Sequence, residues 1–240
     1  MKKIQLATLY IILAIILSGC MYPKEQKAEN QVPYKAQIQS VQNAVEQFQK
    51  EEGGILPIKT KPGDTPYYQK HLVDFSKIAP RYMAEPPGNA YESGGVFQYV
   101  IIDEETNPKV KIFDIRLAQQ LQDYNLRVMA YRQNNGYPPF KERLADTVFT
   151  LDYKKLGLKD APVVRSPYSD NMLHIVVNNE AEAFIDYTPD LMKALKKTKH
   201  QFKPGEDIRR LLTESSDFVP AYSLPYTVDE KTKMPVFLIK

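Results

Sequence analysis

IQSVQNAVEQFQKEEGGILP, residues 38–57, sets Ile38, Val41, Val45 and Phe48 at steps of three, four and three. That spacing lays one apolar stripe along a helix and predicts helix from about Tyr34 to Glu51. Gly53 and Gly54 stand where a left-handed cap belongs, and Pro57 bars continuation. Farther along, Leu121, Tyr124, Val128 and Tyr131 repeat the same steps, and NGYPP, residues 135–139, repeats the stop.

Two further correspondences follow in the same order. VDFSKI, residues 73–78, is answered by LDYKKL, residues 151–156, and FQYVI, residues 97–101, by LHIVV, residues 173–177. The offsets between partners shrink from 83 to 78 to 76, so the second copy is shorter in its loops. Preserved order with shrinking offsets is the mark of internal duplication. The alternative is chance likeness between amphipathic helices and apolar strands.

Each copy reads as a helix, a proline-marked turn, a short segment bearing an Asp, an aromatic and a Lys, and a β-hairpin. In the first, Val96–Asp103 returns as Lys109–Phe113 across EETNP; in the second, Met172–Asn178 returns as Ala183–Tyr187 across NEAE. The expected fold class is therefore α+β, with two tandem helix-plus-β-hairpin repeats over 34–113 and 114–187. Residues 188–240 form a helical and hairpin C-terminal extension expected to pack on the repeats. In it, Thr188, Pro189 and Asp190 open one helix, Gly205–Glu214 supplies a second, and Ala221–Val228 returns as Met234–Ile239.

The chain begins differently. Lys2 and Lys3 precede an almost wholly apolar run, Leu6–Leu17, and the only cysteine follows at position 20. As a helix, twelve residues rise about 18 Å, short of the roughly 30 Å hydrocarbon layer of a bilayer. The pattern is that of an export signal rather than a span. One cysteine has no partner for a disulfide within its own chain. MYPKEQKAEN, residues 21–30, offers little to bury and suits a flexible tether over 20–33. Without residues 1–19 the chain keeps 30 basic and 29 acidic residues, a balance that draws it toward no nucleic acid.

LSGC, residues 17–20, closely resembles the lipobox of bacterial lipoprotein precursors. The resemblance implies that residues 1–19 are a lipoprotein signal peptide, that the Cys20 thiol receives a diacylglycerol, and that a peptidase cuts after Gly19. Each buried acyl CH₂ contributes about 0.8 kcal/mol, so two chains hold where one lets go. The alternative is a free thiol behind an ordinary secretory signal.

Catalytic signatures are sparse. The patterns for phosphate-binding loops, dinucleotide folds, zinc proteases and serine-hydrolase elbows are all missing. Only His71, His174 and His200 offer imidazoles, which argues against a histidine metal site, and no cofactor is expected. Ser169-Asp170-Asn171 matches one fragment of a penicillin-recognising site, but its companion motifs do not occur, and a turn before a strand explains it. Asp103, Glu104 and Glu105 read as a solvated hairpin tip. KALKKTK, Lys193–Lys199, reads as a wet helix face, with contact to anionic lipid or wall polymer as the alternative. Asp74 and Asp152 read as turn caps rather than duplicated functional residues. Tyr67 and Tyr68, beside Pro66, are the candidate ligand-binding residues, as an exposed aromatic shelf for a glycan or peptide; half-buried packing is the competing reading.

Two looser likenesses bear on function. IAPRY (78–82), PPGNAY (86–91), FQYV (97–100) and YRQNNGYP (131–138) are similar to motifs in the globular part of type II secretion pseudopilins. That family carries a hydrophobic stem continuous with its helix, which a lipobox and tether replace here. With the lipobox, EEGGILPIK (51–59) and PAYSLPYTV (220–228) make the whole precursor resemble an uncharacterised lipoprotein family of spore-forming Gram-positive bacilli. This implies a location on the outer face of the cytoplasmic membrane. The functional expectation is a non-enzymatic interaction or envelope-assembly protein, anchored through Cys20, with an envelope protein or the cell wall as partner. The alternative is a binding module for an extracellular peptide or cell-wall glycan, and an unrecognised hydrolase is a distant third.

Overall fold

The computed structural model describes residues 34–198 and 201–239. Cys20, the proposed tether, Lys199 and His200 lie outside the described residues. Helix α1 runs Tyr34–Glu51, and its stripe turns inward, with Ile38, Val41, Ala44 and Val45 all buried. The exit is built by two glycines at φ 68° and 92°, where the Gly54 N–H donates to the Gln49 carbonyl at 2.8 Å. A side chain at either position would be strained, which is why glycine stands there.

Two single-turn helices follow, α2 (Tyr67–Lys70) and α3 (Phe75–Ile78). Asp74 caps α3, its Oδ1 accepting from the Ser76 N–H at 3.2 Å and the Ser76 hydroxyl at 2.7 Å. Phe75 and Ile78 insert beneath it. Its counterpart Asp152 accepts from the Lys154 N–H at 3.2 Å, but the chain there forms turns rather than a helix. Both aspartates hold backbone, which agrees with the structural reading of the pair.

Strands β1 (Phe97–Ile102) and β2 (Lys109–Asp114) form an antiparallel hairpin with Phe97 opposite Asp114 and Ile102 opposite Lys109. Phe97, Tyr99 and Ile101 pack with Val110 and Ile112 against the α1 stripe. Val100, Ile102 and Phe113 form a second cluster with Tyr68, Leu72, Val219 and Ala221. With both faces covered, the strand reads as a continuous apolar run instead of an alternation. Both edges are also occupied. On the β1 side the Ile101 N–H donates to the His71 carbonyl at 2.9 Å, and on the β2 side the Val219 N–H donates to the Ile112 carbonyl at 3.0 Å.

The second half opens with α4 (Arg116–Asn135), which buries Leu117, Leu121, Tyr124 and Val128. Gly136, at φ 84°, caps it by donating to the Arg132 carbonyl at 2.7 Å. Five strands follow: β3 (Phe140–Ala145), β4 (Val148–Leu151), β5 (Val163–Arg165), β6 (Met172–Asn178) and β7 (Ala183–Ile185). β6 is the hub, pairing with β4, β5 and β7. Leu173, Ile175 and Val177 of β6 join the α4 stripe in the larger core. The hairpin β6–β7 agrees with the expected placement, although Tyr187 leaves the strand to precede α5 (Thr188–Leu195). β3 and β4 are reduced in the first half to a single antiparallel bridge, Ile58 with Val73, at the place where Phe140 pairs with Leu151. The Asp74 N–H donates to the Pro57 carbonyl at 2.7 Å as the Asp152 N–H does to the Pro139 carbonyl at 2.8 Å. The second half is the more elaborate of the two.

Helix α6 is confined to Arg210–Glu214, and the final hairpin to β8 (Tyr226–Val228) and β9 (Pro235–Phe237), both shorter than the sequence suggested. The preceding segment does something else. Residues 217–222 form a strap that lies parallel to β2 through the Ile112–Phe218 bridge. It then meets the free edge of β7, where the Ile185 N–H donates to the Tyr222 carbonyl at 2.8 Å. Backbone bonds thus tie both halves to one C-terminal segment. The fold is α+β with small antiparallel sheets.

Candidate functional site

Tyr67 and Tyr68 open α2, and consecutive helical side chains point about 100° apart, so a shelf made of both is not formed. Tyr67 is 40% exposed and Tyr68 only 6%. The Tyr67 hydroxyl accepts the Asp103 N–H at 2.9 Å and donates to Glu104 Oε2 at 3.2 Å. Burial, then the Glu104 and Asp103 charges, push its phenol up to about 12, against the Asp103 bond that favours the phenolate. Glu104 also approaches His71 Nδ1 at 3.4 Å. These contacts fasten α2 to the tip of the β1–β2 hairpin.

Tyr68 points inward, with the Arg209 guanidinium 5.1 Å from its ring centroid. That guanidinium is held in turn by Asp207 at 2.7 Å and the Ser223 carbonyl at 3.1 Å. Tyr68→Ala is expected to cost about 3 kcal/mol or more, because it empties a packed site. Tyr67→Ala should cost about 1 kcal/mol, the scale of a half-exposed hydrogen-bonded group. Urea unfolding of the two single variants checks the contrast; equal losses would place Tyr68 at the surface.

The Ser169-Asp170-Asn171 turn is tied to Asp190, a buried carboxylate in the first turn of α5. Ser166 Oγ donates to its Oδ2 at 2.7 Å, Ser169 Oγ to its Oδ1 at 2.5 Å and Asn171 Nδ2 to its Oδ1 at 3.4 Å. Both oxygens are taken up in holding the β5–β6 turn against the helix. Asp103 takes φ 52° at the hairpin tip and accepts two backbone N–H groups. Among the described residues no group of three or more His, Cys, Asp or Glu side chains is placed to hold a metal ion. Lys193, Lys196 and Lys197 are exposed around the end of α5.

A different surface gathers uncommitted hydrogen-bonding groups. A cleft of about 390 Å³ lies where the β1–β2 hairpin, α2, the start of α4 and the strap meet. Tyr91 and Tyr222 contribute aromatic walls, Gln69, Gln98 and Gln119 contribute amides, and Leu72 and Phe113 contribute apolar surface. Lys61 carries the one charge in its lining. Tyr91 stands 56% exposed, whereas Tyr222 is half-buried, edge-on to Phe113 at 5.9 Å. Burial, then Asp114, push the Tyr222 phenol up to about 12. Its backbone sits at φ 59°, a conformation that costs a residue bearing a Cβ. The Gln69 Oε1 accepts the Tyr222 N–H at 3.4 Å.

The cleft residues come from stretches as far apart as 61 and 222, so no local motif announces them. The available signal was the abundance of tyrosine, 16 residues, without any tryptophan. A hollow of similar size near Lys35, Lys111, Glu214 and Asp217 is richer in charge, and its Lys111 ammonium already donates to the Ser216 carbonyl at 2.7 Å.

Residues 34–114 match the YphF family N-terminal domain. The matched span begins with the first residue of α1 and ends with the last of β2. It contains EEGGILPIK, the first of the two body motifs behind the likeness to an uncharacterised lipoprotein family, and most of the cleft lining up to Phe113. Neither the curated proteins nor the solved structures contain a match to the chain.

Proposed function

We propose that this protein is an extracytoplasmic lipoprotein, held at the outer face of the cell membrane by lipid on Cys20, with a body that acts as a non-enzymatic interaction module of the envelope. The observation that carries the proposal is LSGC at the end of a short apolar run behind two lysines. The run is too short to span, and the cysteine stands where a lipobox places the acylated residue. Among the described residues no helix is long and apolar enough to cross a membrane. The family match over residues 34–114 adds architecture but no activity. Filament assembly of the pseudopilin kind is not part of the proposal, because in the sequence the polar stretch 21–30 stands between the apolar run and the stripe that begins at Ile38.

A second reading, a module that binds an extracellular peptide or wall glycan, is favoured by the cleft rather than by Tyr67 and Tyr68. Tyr67 spends its hydroxyl on the hairpin tip and Tyr68 is core.

Cys20→Ser tests the anchor. Cells fed an alkyne-bearing fatty acid are expected to label the wild-type chain and not the variant. The variant should lose essentially all membrane retention and accumulate as unprocessed precursor or in the medium. Unchanged labelling and fractionation would overturn the proposal.

A further inference from the structure

We propose that the cleft between Tyr91 and Tyr222 binds a glycan carrying acetamido groups. The proposal deepens the binding-module reading and rests on it. Sugar recognition combines two needs: flat apolar area for the C–H face of a pyranose ring, and amides that donate and accept at once. The cleft supplies both. Tyr91 and Tyr222 offer the rings, while the Gln98 and Gln119 amides and the two tyrosine hydroxyls make no hydrogen bond among the described residues. A carboxamide can pair with an acetamido group through its N–H and its C=O together. The cleft volume, about 390 Å³, falls within the range of roughly 300–1,000 Å³ typical of ligand sites.

Two other ligand classes fit less well. An extended peptide binds most readily by adding a strand to an open sheet edge. Here His71 and Leu72 occupy the outer edge of β1, and the strap occupies that of β2. An anionic phosphate polymer needs several cations in register, and Lys61 stands alone in the lining. The positive φ of Tyr222 adds an independent pointer. The strap keeps a non-glycine residue in the left-handed region where its ring forms the cleft wall, and such strain gathers at binding sites.

The test uses the full-length lipidated chain in detergent, titrated calorimetrically with chitotetraose. An alanine- and lysine-containing wall-type pentapeptide and poly(glycerol phosphate) run in parallel. Saturable binding of the tetrasaccharide is expected, weakened at least tenfold by Tyr91→Ala and at least threefold by Gln119→Ala, and unaltered by Tyr67→Phe. Both informative positions are exposed, and thermal melting confirms that the variants fold. If Tyr91→Ala melts early, Gln119→Ala still decides. Absence of saturable tetrasaccharide binding, indifference of folded variants, or equal binding of the peptide or the phosphate polymer would overturn the assignment. Because the titration is made in solution, its failure is distinct from failure of the Cys20 anchor, which fractionation of cells reads separately.

Discussion

Raising the pH from 10 toward 12 is expected to unfold the protein cooperatively, before its buried tyrosines ionise one by one. Burial holds the phenols of Tyr68, Tyr187 and Tyr226 far above their ordinary value of 10. Around Tyr187 and Tyr226 the carboxylates of Asp190 and Asp186 add to the effect. Tyr99 and Tyr124 are pushed by burial to about 12, with a bond to Asn89 partly opposing the shift at Tyr99. In the unfolded chain each of these groups ionises near 10, so above that pH the unfolded state binds fewer protons and stability falls as pH rises. Their contribution is fully present below pH 10 and is lost as pH climbs toward the folded values. A phenol that stays protonated in the fold and ionises near 10 in the unfolded chain costs about 1.4 kcal/mol at pH 11 and about 2.7 kcal/mol at pH 12. Tyr99 and Tyr124 add a smaller, solvent-screened share. Domains of this kind are stable by roughly 5–15 kcal/mol, so several such groups together remove most of that stability by pH 12. In one alkaline titration the loss of circular dichroism should share its midpoint with the late phase of tyrosinate absorbance, the phase that belongs to the buried rings, whereas exposed rings such as Tyr91 and Tyr137 contribute outside it. Complete ionisation with the fold retained would show that these rings are open to solvent.

Val219→Asp is expected to be the most damaging of simple substitutions in the C-terminal strap. Val219 is 1% exposed and packs with Tyr68, Leu72, Val100, Ile102 and Phe113, while its N–H donates to the Ile112 carbonyl. A carboxylate there would be buried among apolar side chains, at a cost of about 3–5 kcal/mol. The strap would separate from the hairpin instead, taking with it the backbone bond that Tyr222 makes to β7. For a chain of this size that loss corresponds to a fall of roughly 10 °C in melting temperature. Val219→Ala, which only removes two methyl groups, should cost about 2 kcal/mol. Thermal melting of the pair separates the effects, and a Val219→Asp protein that melts like wild type would mean that the strap is not seated on the hairpin.

The elements that were legible share one property. α1 shows its bounds because Ile38, Val41, Val45 and Phe48 repeat at helical period and two glycines end the run. α4 and the hairpins β1–β2 and β6–β7 were readable on the same grounds. β3 was not: in FKERLA, Phe140 through Leu144 are all exposed, so no buried face imprints an alternation on the sequence. β5 is only three residues long, less than the length over which period two can be told from chance.

The candidate site divides in the same way. Cys20 could be singled out from its neighbours in the chain, because the lipobox that LSGC resembles is a linear motif. Tyr67 and Tyr68 could be singled out as tyrosines beside a proline, but which of the two faces outward depends on where α2 docks. Tyr222 is the sharper case. PAYSLPYTV promised a strand beginning at Ala221, whereas the segment bends through a left-handed residue at Tyr222 and begins β8 only at Tyr226.

The sequence by itself determined the identity and approximate bounds of the main helices and hairpins, the glycine-marked exits, and the α+β class, because each is encoded by periodicity within a few turns of chain. Only the tertiary structure decided that residues 217–222 join the edge of β2 to that of β7, and that Tyr91, Gln98, Gln119 and Tyr222 border one cleft. Those contacts link residues far apart in the chain, Ile112 with Phe218 and Ile185 with Tyr222 among them. They are chosen by which open sheet edge and which apolar surface remain to be covered once the local elements exist, and that is a property of the assembled fold, which no short segment carries.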